Sequence, residues 1–316
     1  MKYSQCPGLE DKQWSQITFG CWQIAPSGGW GDVCSPSEAD TVIKTALDQN
    51  ITAFDTAEGY GDGESERRLG KALGNKKHEA IIISKIWPDA ELNPVSYASH
   101  LEDSLKALGR DNVDLYLIHW PGSYFNTEEK SARLCEAMLA LKKSGKARLI
   151  GLSNFLEQDI RLLGDQFGEF SVNEVPYSLL EREYEGETRT LCAKSKIPYM
   201  AFSPTAQGLL AGRTDAESRK FPTRKNNPLY QEPLYSKSLP VVNTANEIAD
   251  EIGTKAINVV LAWVLAQENI LTAIVGSRKP KQIIEFAGAT EIQLSDEQLA
   301  RLTLASDTFH QEKSTA

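Results

Sequence analysis

The sequence lacks the features that mark several classes of protein. Its five cysteines are scattered and include no Cys-x-x-Cys pair, so we expect neither a disulfide framework nor a metal site, and a reducing cytosol fits best. The net charge is −9 and basic clusters are short, which argues against a nucleic-acid partner. The apolar stretch 259–266 is too short to span a bilayer, and the N-terminus carries no apolar signal region. We therefore expect a cytoplasmic protein without a membrane partner.

What the sequence does contain is a regular alternation of short apolar strands and longer helical segments. This alternation is typical of a parallel α/β protein, and eight strands predict a (β/α)8 TIM barrel formed as a single domain by residues 1–316. A long irregular connection follows the seventh strand at 213–238, and a C-terminal helix follows Leu294. The predicted strands are 16–20, 51–55, 80–85, 113–119, 147–153, 170–174, 198–202 and 270–275, and the predicted helices include 37–50, 64–73, 95–108 and 129–144.

Polar side chains end or closely follow three successive predicted strands. Asp55 ends the second strand and Tyr60 lies in the turn after it, Lys85 ends the third strand, and His119 ends the fourth. In a parallel barrel the carboxyl ends of the strands meet at one rim, where catalysis takes place. A phenol, an ammonium, a carboxylate and an imidazole on one rim form an acid–base group, so the chain is expected to be an enzyme.

Seven stretches, taken in order, resemble the aldo-keto reductase family over nearly the whole chain. They run from Phe54 to Gly61, from Glu66 to Leu73, through Ser84-Lys85, from Asp114 to Pro121, from Ile150 to Phe155, from Phe202 to Leu210 and from Gly276 to Pro280. The resemblance implies an NAD(P)H-dependent oxidoreductase that interconverts aldehydes or ketones, including sugars, with alcohols. It also implies a role for each member of the acid–base group. Tyr60 donates the proton to the carbonyl oxygen, Lys85 shifts the pKa of Tyr60 toward neutrality, Asp55 keeps Lys85 charged, and His119 orients the substrate.

The cofactor expected from the resemblance is NADP(H), with NAD(H) as the alternative. No Gly-x-Gly-x-x-Gly motif occurs, so a Rossmann domain is not expected, and barrels bind phosphate near the loops after the seventh and eighth strands. Arg278 has the planar donor fork suited to a 2′-phosphate. The predicted cofactor-binding residues are Gly20, Cys21, Trp22, Asp55, Ser153, Asn154, Glu174, Phe202, Ser203, Pro204, Gln207, Gly208, Leu209, Gly276, Ser277, Arg278, Gln282, Glu285 and Phe286.

Two of these positions depart from the family pattern. Phe286 replaces an Asn that often contacts the adenine, and Glu174 stands where relatives usually carry a Gln that bonds the nicotinamide carboxamide. One hypothesis is that Glu174 is ionised and stabilises the oxidised cofactor, which would favour alcohol oxidation. The alternative is that Glu174 is protonated or paired with a nearby cation and leaves the cofactor preference unchanged.

The substrate is a small carbonyl compound or alcohol that the sequence does not identify, and the oligomeric state is equally open. Trp22, Trp87 and Trp120 follow the first, third and fourth strands and are expected to wall the substrate pocket beside Tyr60 and His119. Tyr124, Phe125 and the connection 213–238 are expected to complete the wall.

Two other functions remain as alternatives. The first is a Schiff-base lyase with Lys85 as the nucleophile, but such a lysine must be deprotonated and Asp55 favours its charged form. The second is a cofactor-binding regulatory subunit with the reductase fold and little turnover. The intact acid–base group argues against this second alternative.

Overall fold

The alternating strands and helices build a closed barrel of eight parallel strands, paired in chain order with the last strand against the first. The structure is a computed structural model that describes residues 1–26, 30, 34–87, 89–122, 125–212, 215 and 217–314. Two short strands, β1 (Tyr3–Ser4) and β2 (Trp14–Ser15), precede the barrel. The barrel strands are β3 (Ile17–Gly20), β4 (Ala53–Asp55), β5 (Ile81–Ile86), β6 (Val113–Ile118), β7 (Ala147–Ser153), β8 (Asn173–Pro176), β9 (Tyr199–Phe202) and β10 (Ile270–Val275).

Helices follow the barrel strands, and their ends have local chemical causes. Ser35, Asn93 and Thr127 accept hydrogen bonds from backbone N–H groups in the first turns of α1, α3 and α4, and Gly109 ends α3 at a φ of 63°. The helices are α1 (Pro36–Asp48), α2 (Glu64–Leu73), α3 (Pro94–Leu108), α4 (Glu128–Lys143), α5 (Glu157–Leu163), α6 (Glu187–Lys194), α7 (Pro222–Lys225), α8 (Leu234–Glu251), α9 (Ala256–Leu265), α10 (Pro280–Ala287) and α11 (Asp296–Ser314).

Two apolar cores stabilise the barrel. The larger lies between the strands and the surrounding helices. The smaller fills the inside of the barrel, where buried side chains such as Ile83, Leu117 and Met200 meet. Trp14 belongs to this inner core, and its indole N–H donates to Thr18 Oγ1 at 3.0 Å, so the β1–β2 hairpin packs against the inner core near the start of the barrel strands. The site is therefore confined to the opposite, carboxyl end of the strands.

The single-domain TIM barrel and its C-terminal helix are confirmed, but two predicted boundaries are wrong. The sixth barrel strand begins at Asn173 rather than at 170, because residues Gly164–Glu169 form a 3-10 helix that ends at Phe170. The connection 213–238 is not irregular throughout: it contains the short helix α7, and α8 already begins at Leu234. Residues 213, 214 and 216 of this connection lie outside the described part. None of the described helices has an apolar stretch long enough to cross a membrane.

Candidate active site

A cavity of about 820 Å³ opens at the carboxyl ends of the barrel strands. Every barrel strand contributes at least one lining residue, either at its last positions or directly after it. This is the end of a parallel barrel at which active sites are built. The sequence-predicted residues that line it are Gly20, Trp22, Asp55, Tyr60, Trp87, His119, Trp120, Ser153, Asn154, Glu174, Phe202, Ser203, Pro204, Gln207, Gly208, Gly276, Ser277, Arg278, Gln282 and Phe286.

The pleat of the strands explains why charged groups meet beneath this cavity. Side chains at alternate positions of a strand point to the same face. On β5, Ile81 and Ile83 belong to the inner core, and Lys85 is the next residue with the same orientation. Asp55 follows Ala53 on β4 in the same way, two positions along the strand. The acid–base group is thus the uppermost layer of the barrel interior.

Lys85 is fully buried and holds this layer together. Its ammonium forms an ion pair with Asp55, donates to the backbone oxygen of Thr56 at 2.9 Å, and lies 3.4 Å from Glu174 Oε1. Burial alone lowers the pKa of Lys85, but the charges of Asp55 and Glu174 outweigh that effect and raise it. Lys85 is therefore a permanent cation at neutral pH, which excludes a role as a Schiff-base nucleophile.

Glu174 enters the cluster from the far side of the barrel, because β8 and β4 are separated by three strands in either direction. Burial, the largest influence, and then the negative charge of Asp55 raise the pKa of Glu174 well above its ordinary range. A hydrogen bond between the two carboxyl groups raises it further. One ammonium therefore faces two carboxyl groups. Burial raises the pKa of Asp55 as well, although the charge and the hydrogen bond of Lys85 lower it, and the pKa of Glu174 is raised the more strongly of the two.

Tyr60 lies against this cluster, and its pKa differs from the sequence expectation. The Lys85 ammonium is 5.2 Å from the centre of the Tyr60 ring and lowers the pKa of the phenol. Burial, which is the largest influence, raises that pKa, and the charges of Asp55 and Glu174 add to the rise. The expected shift of Tyr60 toward neutrality is therefore wrong for the protein alone: the pKa of Tyr60 is raised, and the phenol stays protonated.

His119 is a neutral hydrogen-bonding group beside Tyr60. Burial and then the charge of Lys85 lower the pKa of His119 to about 2, so the imidazole carries no charge at neutral pH. Its ring centre lies 5.6 Å from that of Tyr60 and 5.1 Å from that of Trp87. The backbone oxygen of His119 accepts from Asn154 Nδ2 at 3.0 Å, which ties the catalytic half of the cavity to the residues after β7.

Three indoles stand at the open side of the cavity, as the sequence predicts. Trp22, Trp87 and Trp120 each expose about two-fifths of their surface, at 38%, 41% and 43%. The Trp22 ring stacks on Tyr60 with centres 6.2 Å apart, and Trp120 stacks on His119 at 6.3 Å. These rings give the entrance beside Tyr60 flat apolar walls.

The remaining half of the cavity has the form of a dinucleotide site. Asn154 Oδ1 and Gln207 Oε1 are buried acceptors that have no hydrogen-bond partner among the described residues. A Cβ atom on Gly276 would lie 2.5 Å from the backbone oxygen of Gly20, so only glycine allows this close approach. Ser203, Ala206 and Gln207 all have positive φ values, which bend the segment after β9 sharply around the cavity. These features fit a nicotinamide dinucleotide, whose carboxamide would provide a donor for Asn154 Oδ1.

Arg278 lies at the end of this half of the cavity. Its guanidinium donates to the backbone oxygen of Trp30, and the Ser277 hydroxyl donates to Gln282. Trp30 and Arg224 also line the cavity, with the Arg224 guanidinium 5.9 Å from the Trp30 ring centre and its Nε donating to Gln207 O at 3.0 Å. Trp30 carries no sequence signal, because it lies in a connection between barrel elements. Arg224 lies in the connection 213–238, which the sequence predicts to complete the wall without singling out this residue.

Besides Lys85, which lies buried beneath the cavity, four sequence-predicted residues do not line it. Cys21 and Leu209 are completely buried in the outer core, and Cys21 lies between Gly20 and Trp22, which face the cavity. Glu285 on α10 is partly exposed but does not line the cavity, whereas Gln282 and Phe286 do. Phe125 is buried 5.2 Å from the Phe155 ring, so its expected place in the substrate wall is wrong. Tyr124 lies outside the described residues.

Comparison with known proteins identifies the family. The model of the Aldo/keto reductase family matches residues 16–307. The chain belongs to this family. It is similar to aldo-keto reductase YhdN of Bacillus subtilis, with 32% identity that covers 90% of this chain and 87% of the relative. The NADH-specific methylglyoxal reductase of Escherichia coli is 29% identical, with 92% and 94% covered. A Klebsiella pneumoniae aldo/keto reductase in complex with NADP and acetate superimposes with a TM-score of 0.75 and 26% identity, covering 95% of this chain and 94% of that one.

Membership in the family confirms the expected activity and cofactor. The chain is an aldo-keto reductase, an NAD(P)H-dependent oxidoreductase that interconverts aldehydes or ketones and alcohols by hydride transfer. The Klebsiella structure contains NADP and the Escherichia coli relative is named NADH-specific, which agrees with the expectation of NADP(H), with NAD(H) as the alternative.

Proposed function

We propose that Tyr60 is the proton donor for carbonyl reduction and that Lys85, Asp55 and His119 support it. The observation that carries this proposal is the convergence of a protonated phenol, a permanent cation and a neutral imidazole at one end of the cavity. A bound reduced nicotinamide supplies the hydride that adds to the carbonyl carbon. The Tyr60 O–H bond then breaks, its proton passes to the carbonyl oxygen, and the product is an alcohol.

The supporting residues act on the charges that this proton transfer creates. The phenolate left on Tyr60 is stabilised by the Lys85 ammonium, and Asp55 keeps that ammonium in place. Neutral His119 donates a hydrogen bond to the carbonyl oxygen without competing as an acid, because its pKa is about 2. Preorganised groups of this kind lower the barrier because they need no rearrangement during the reaction.

The cofactor half of the cavity holds the dinucleotide in the orientation that this chemistry requires. Asn154 Oδ1 accepts from the nicotinamide carboxamide, since its Nδ2 already donates to Ser153 Oγ and His119 O. Phe202 lines the same half of the cavity and would hold the nicotinamide ring, and the turn at Gln207 and Gly208 would hold the diphosphate. Arg278 binds the 2′-phosphate of NADP(H).

The substrates that fit best are small neutral carbonyl compounds. A neutral His119 and three indoles surround the entrance, and flat aromatic walls favour apolar or ring-shaped groups. The relative named as a methylglyoxal reductase supports the inclusion of small dicarbonyls among the candidates. We further infer that residues 1–316 work as one domain and that the enzyme is cytoplasmic, which its five free, buried cysteines support.

Tyr60→Phe tests the proposal. The variant removes only the phenolic oxygen, so we expect unchanged cofactor affinity and a loss of about 10²–10⁴-fold in reductive turnover. The assay follows NADPH absorbance with methylglyoxal, aromatic aldehydes and aldoses as substrates. Tyr3→Phe, which removes a phenolic oxygen from β1 at the other end of the barrel, is the matched control and should retain full activity. Turnover of Tyr60→Phe within threefold of the wild type would remove Tyr60 from the mechanism.

A further inference from the structure

A second, smaller cavity of about 160 Å³ lies beside the main one, and its wall contains a carboxylate close to the proposed cofactor site. It is lined by Ser37, Glu38, Thr41, Arg278 and Pro280. Arg278 lines both cavities, so the small cavity adjoins the position proposed for the 2′-phosphate. With the 2′-phosphate at Arg278, as proposed above, the small cavity would adjoin the 2′-substituent of the adenosine ribose.

Glu38 brings a fixed negative charge into this cavity. Its Oε2 accepts from the backbone N–H and from the hydroxyl of Ser35, both at 2.7 Å, in the capping box of α1. The hydrogen bonds from Ser35 and, to a smaller extent, the charge of Arg278 lower the pKa of Glu38. The carboxylate is therefore ionised at neutral pH, held in one position, and within the electrostatic reach of Arg278.

The two forms of the cofactor respond differently to such a pair of charges. A phosphate monoester carries a charge of about −1.5 to −2 near neutrality, so it is attracted by Arg278 and repelled by Glu38. A ribose hydroxyl is neutral and experiences neither effect strongly. Part of the attraction that Arg278 offers to NADPH is thus cancelled by Glu38, while NADH loses nothing.

We propose that Glu38 is a specificity-determining residue that weakens binding of the 2′-phosphate and so narrows the preference for NADPH over NADH. The inference rests on the proposed position of the 2′-phosphate at Arg278. In it, Glu38 on α1 repels the 2′-phosphate and Arg278 after β10 attracts it. Removing the charge of Glu38 increases the preference for NADPH.

The test compares Glu38→Gln with Asp40→Asn. The glutamine keeps an oxygen that can accept from Ser35, so the start of α1 is preserved. Asp40 lies on the same helix, pairs with Lys44 at 2.7 Å and lines neither cavity, so its replacement makes the same change in net charge elsewhere. Dissociation constants for NADPH and NADH are measured by cofactor fluorescence, and those for 2′,5′-ADP and 5′-AMP by competition.

We expect Glu38→Gln to bind NADPH and 2′,5′-ADP about two- to fivefold more tightly, which is the range of exposed ion pairs. Binding of NADH and 5′-AMP should stay unchanged, the gain should shrink in high salt, and Asp40→Asn should match the wild type. Equal changes for both cofactors, or the same gain in Asp40→Asn, would overturn the proposal.

Arg278→Ala separates this inference from the proposed function. It should weaken NADPH roughly ten- to 150-fold with a much smaller effect on NADH, because a charge-assisted contact is lost. An equal loss for both cofactors would show that the 2′-phosphate lies elsewhere, and both assignments would then fail. A selective loss in Arg278→Ala together with no change in Glu38→Gln would overturn only the role of Glu38.

Discussion

Glu174→Gln is the sharpest test of the charge cluster beneath the active site. Glu174 stands where relatives usually have a glutamine, and the structure places its carboxyl 3.4 Å from the Lys85 ammonium. Burial and the charge of Asp55 raise the pKa of Glu174 well above its ordinary range, which favours the protonated form. The structure thus favours the second of the two sequence hypotheses, in which Glu174 is protonated or paired and does not select the oxidised cofactor.

The two hypotheses differ by a measurable amount. Two unit charges roughly 7 Å apart interact by about 2.4 kcal/mol at an effective dielectric constant of 20, and this is the order of energy by which an ionised Glu174 would stabilise the cationic, oxidised cofactor. That energy corresponds to about a 50-fold change in the ratio of the two dissociation constants. A protonated Glu174 exchanged for the isosteric, neutral glutamine changes no charge. We therefore expect the ratio for NADP⁺ and NADPH to shift by less than about threefold, within the spread of a single altered hydrogen bond.

The assay measures both dissociation constants for the wild type and for Glu174→Gln at about pH 7. A shift of tens of fold toward the reduced form in the variant would refute the argument, because it would require an ionised Glu174 in the wild type. Measurements repeated at about pH 9 extend the test. A difference between wild type and variant that appears only at the higher pH would mark the deprotonation of Glu174.

The same cluster predicts strong coupling between Asp55 and Glu174. Either carboxyl can serve as the counter-ion of Lys85, so Glu174 ionises when Asp55→Asn removes the first one. The double variant leaves the buried ammonium with only the Thr56 carbonyl. Breaking a buried ion pair costs about 3–5 kcal/mol, and we expect this loss in urea denaturation of the double variant only. Strictly additive effects of the two single variants would refute the shared role.

Two further predictions concern pH. Burial raises the pKa of Glu66 from 4.5 to about 7, so between those values the folded chain holds a proton that the unfolded chain releases, and stability falls as the pH rises. The free energy of unfolding of Glu66→Gln, measured by urea denaturation relative to the wild type, should therefore increase by up to about 3 kcal/mol from pH 5 to pH 8. Exposed Glu79→Gln should show no such increase. A Glu66→Gln difference that is equal at both pH values would contradict this prediction. Because the pKa of Tyr60 is raised, alcohol oxidation should accelerate up to at least about pH 9 while carbonyl reduction stays level near neutrality; parallel pH profiles would contradict it.

The barrel could be predicted from the sequence because its strands are continuous apolar runs bounded by polar residues. The predicted strand 147–153 matches β7, and the predicted helix 64–73 matches α2. The sixth strand is misplaced because Phe170 and Val172 continue the apolar run backwards into a 3-10 turn. Period-two patterns fix the orientation of side chains within a strand but not the residue at which backbone pairing begins.

The contact between Glu174 and Lys85 can be predicted from the sequence pattern only once the barrel topology is known. Val172 belongs to the inner core, so Glu174, two residues later, points the same way as Lys85 does after Ile83. Sequence order separates β5 and β8 by two whole strand–helix units, and the closed barrel brings their ends together. Trp30 had no such signal, and Arg224 could be placed only within the connection 213–238 that was expected at the wall, since connections have no period from which the orientation of a single side chain can be derived.

The pKa of Tyr60 was beyond sequence reasoning for a different reason. The sequence supplies the one cation that lowers it, and a single ammonium at close range is strong enough to move a phenol toward neutrality. Burial and the neighbouring acids act in the opposite direction, and their sum depends on distances that the sequence does not contain. Burial is the largest of these influences and, together with the neighbouring carboxyl groups, it outweighs the effect of Lys85. The phenol therefore keeps its proton, and the site in its resting state is prepared to reduce a carbonyl.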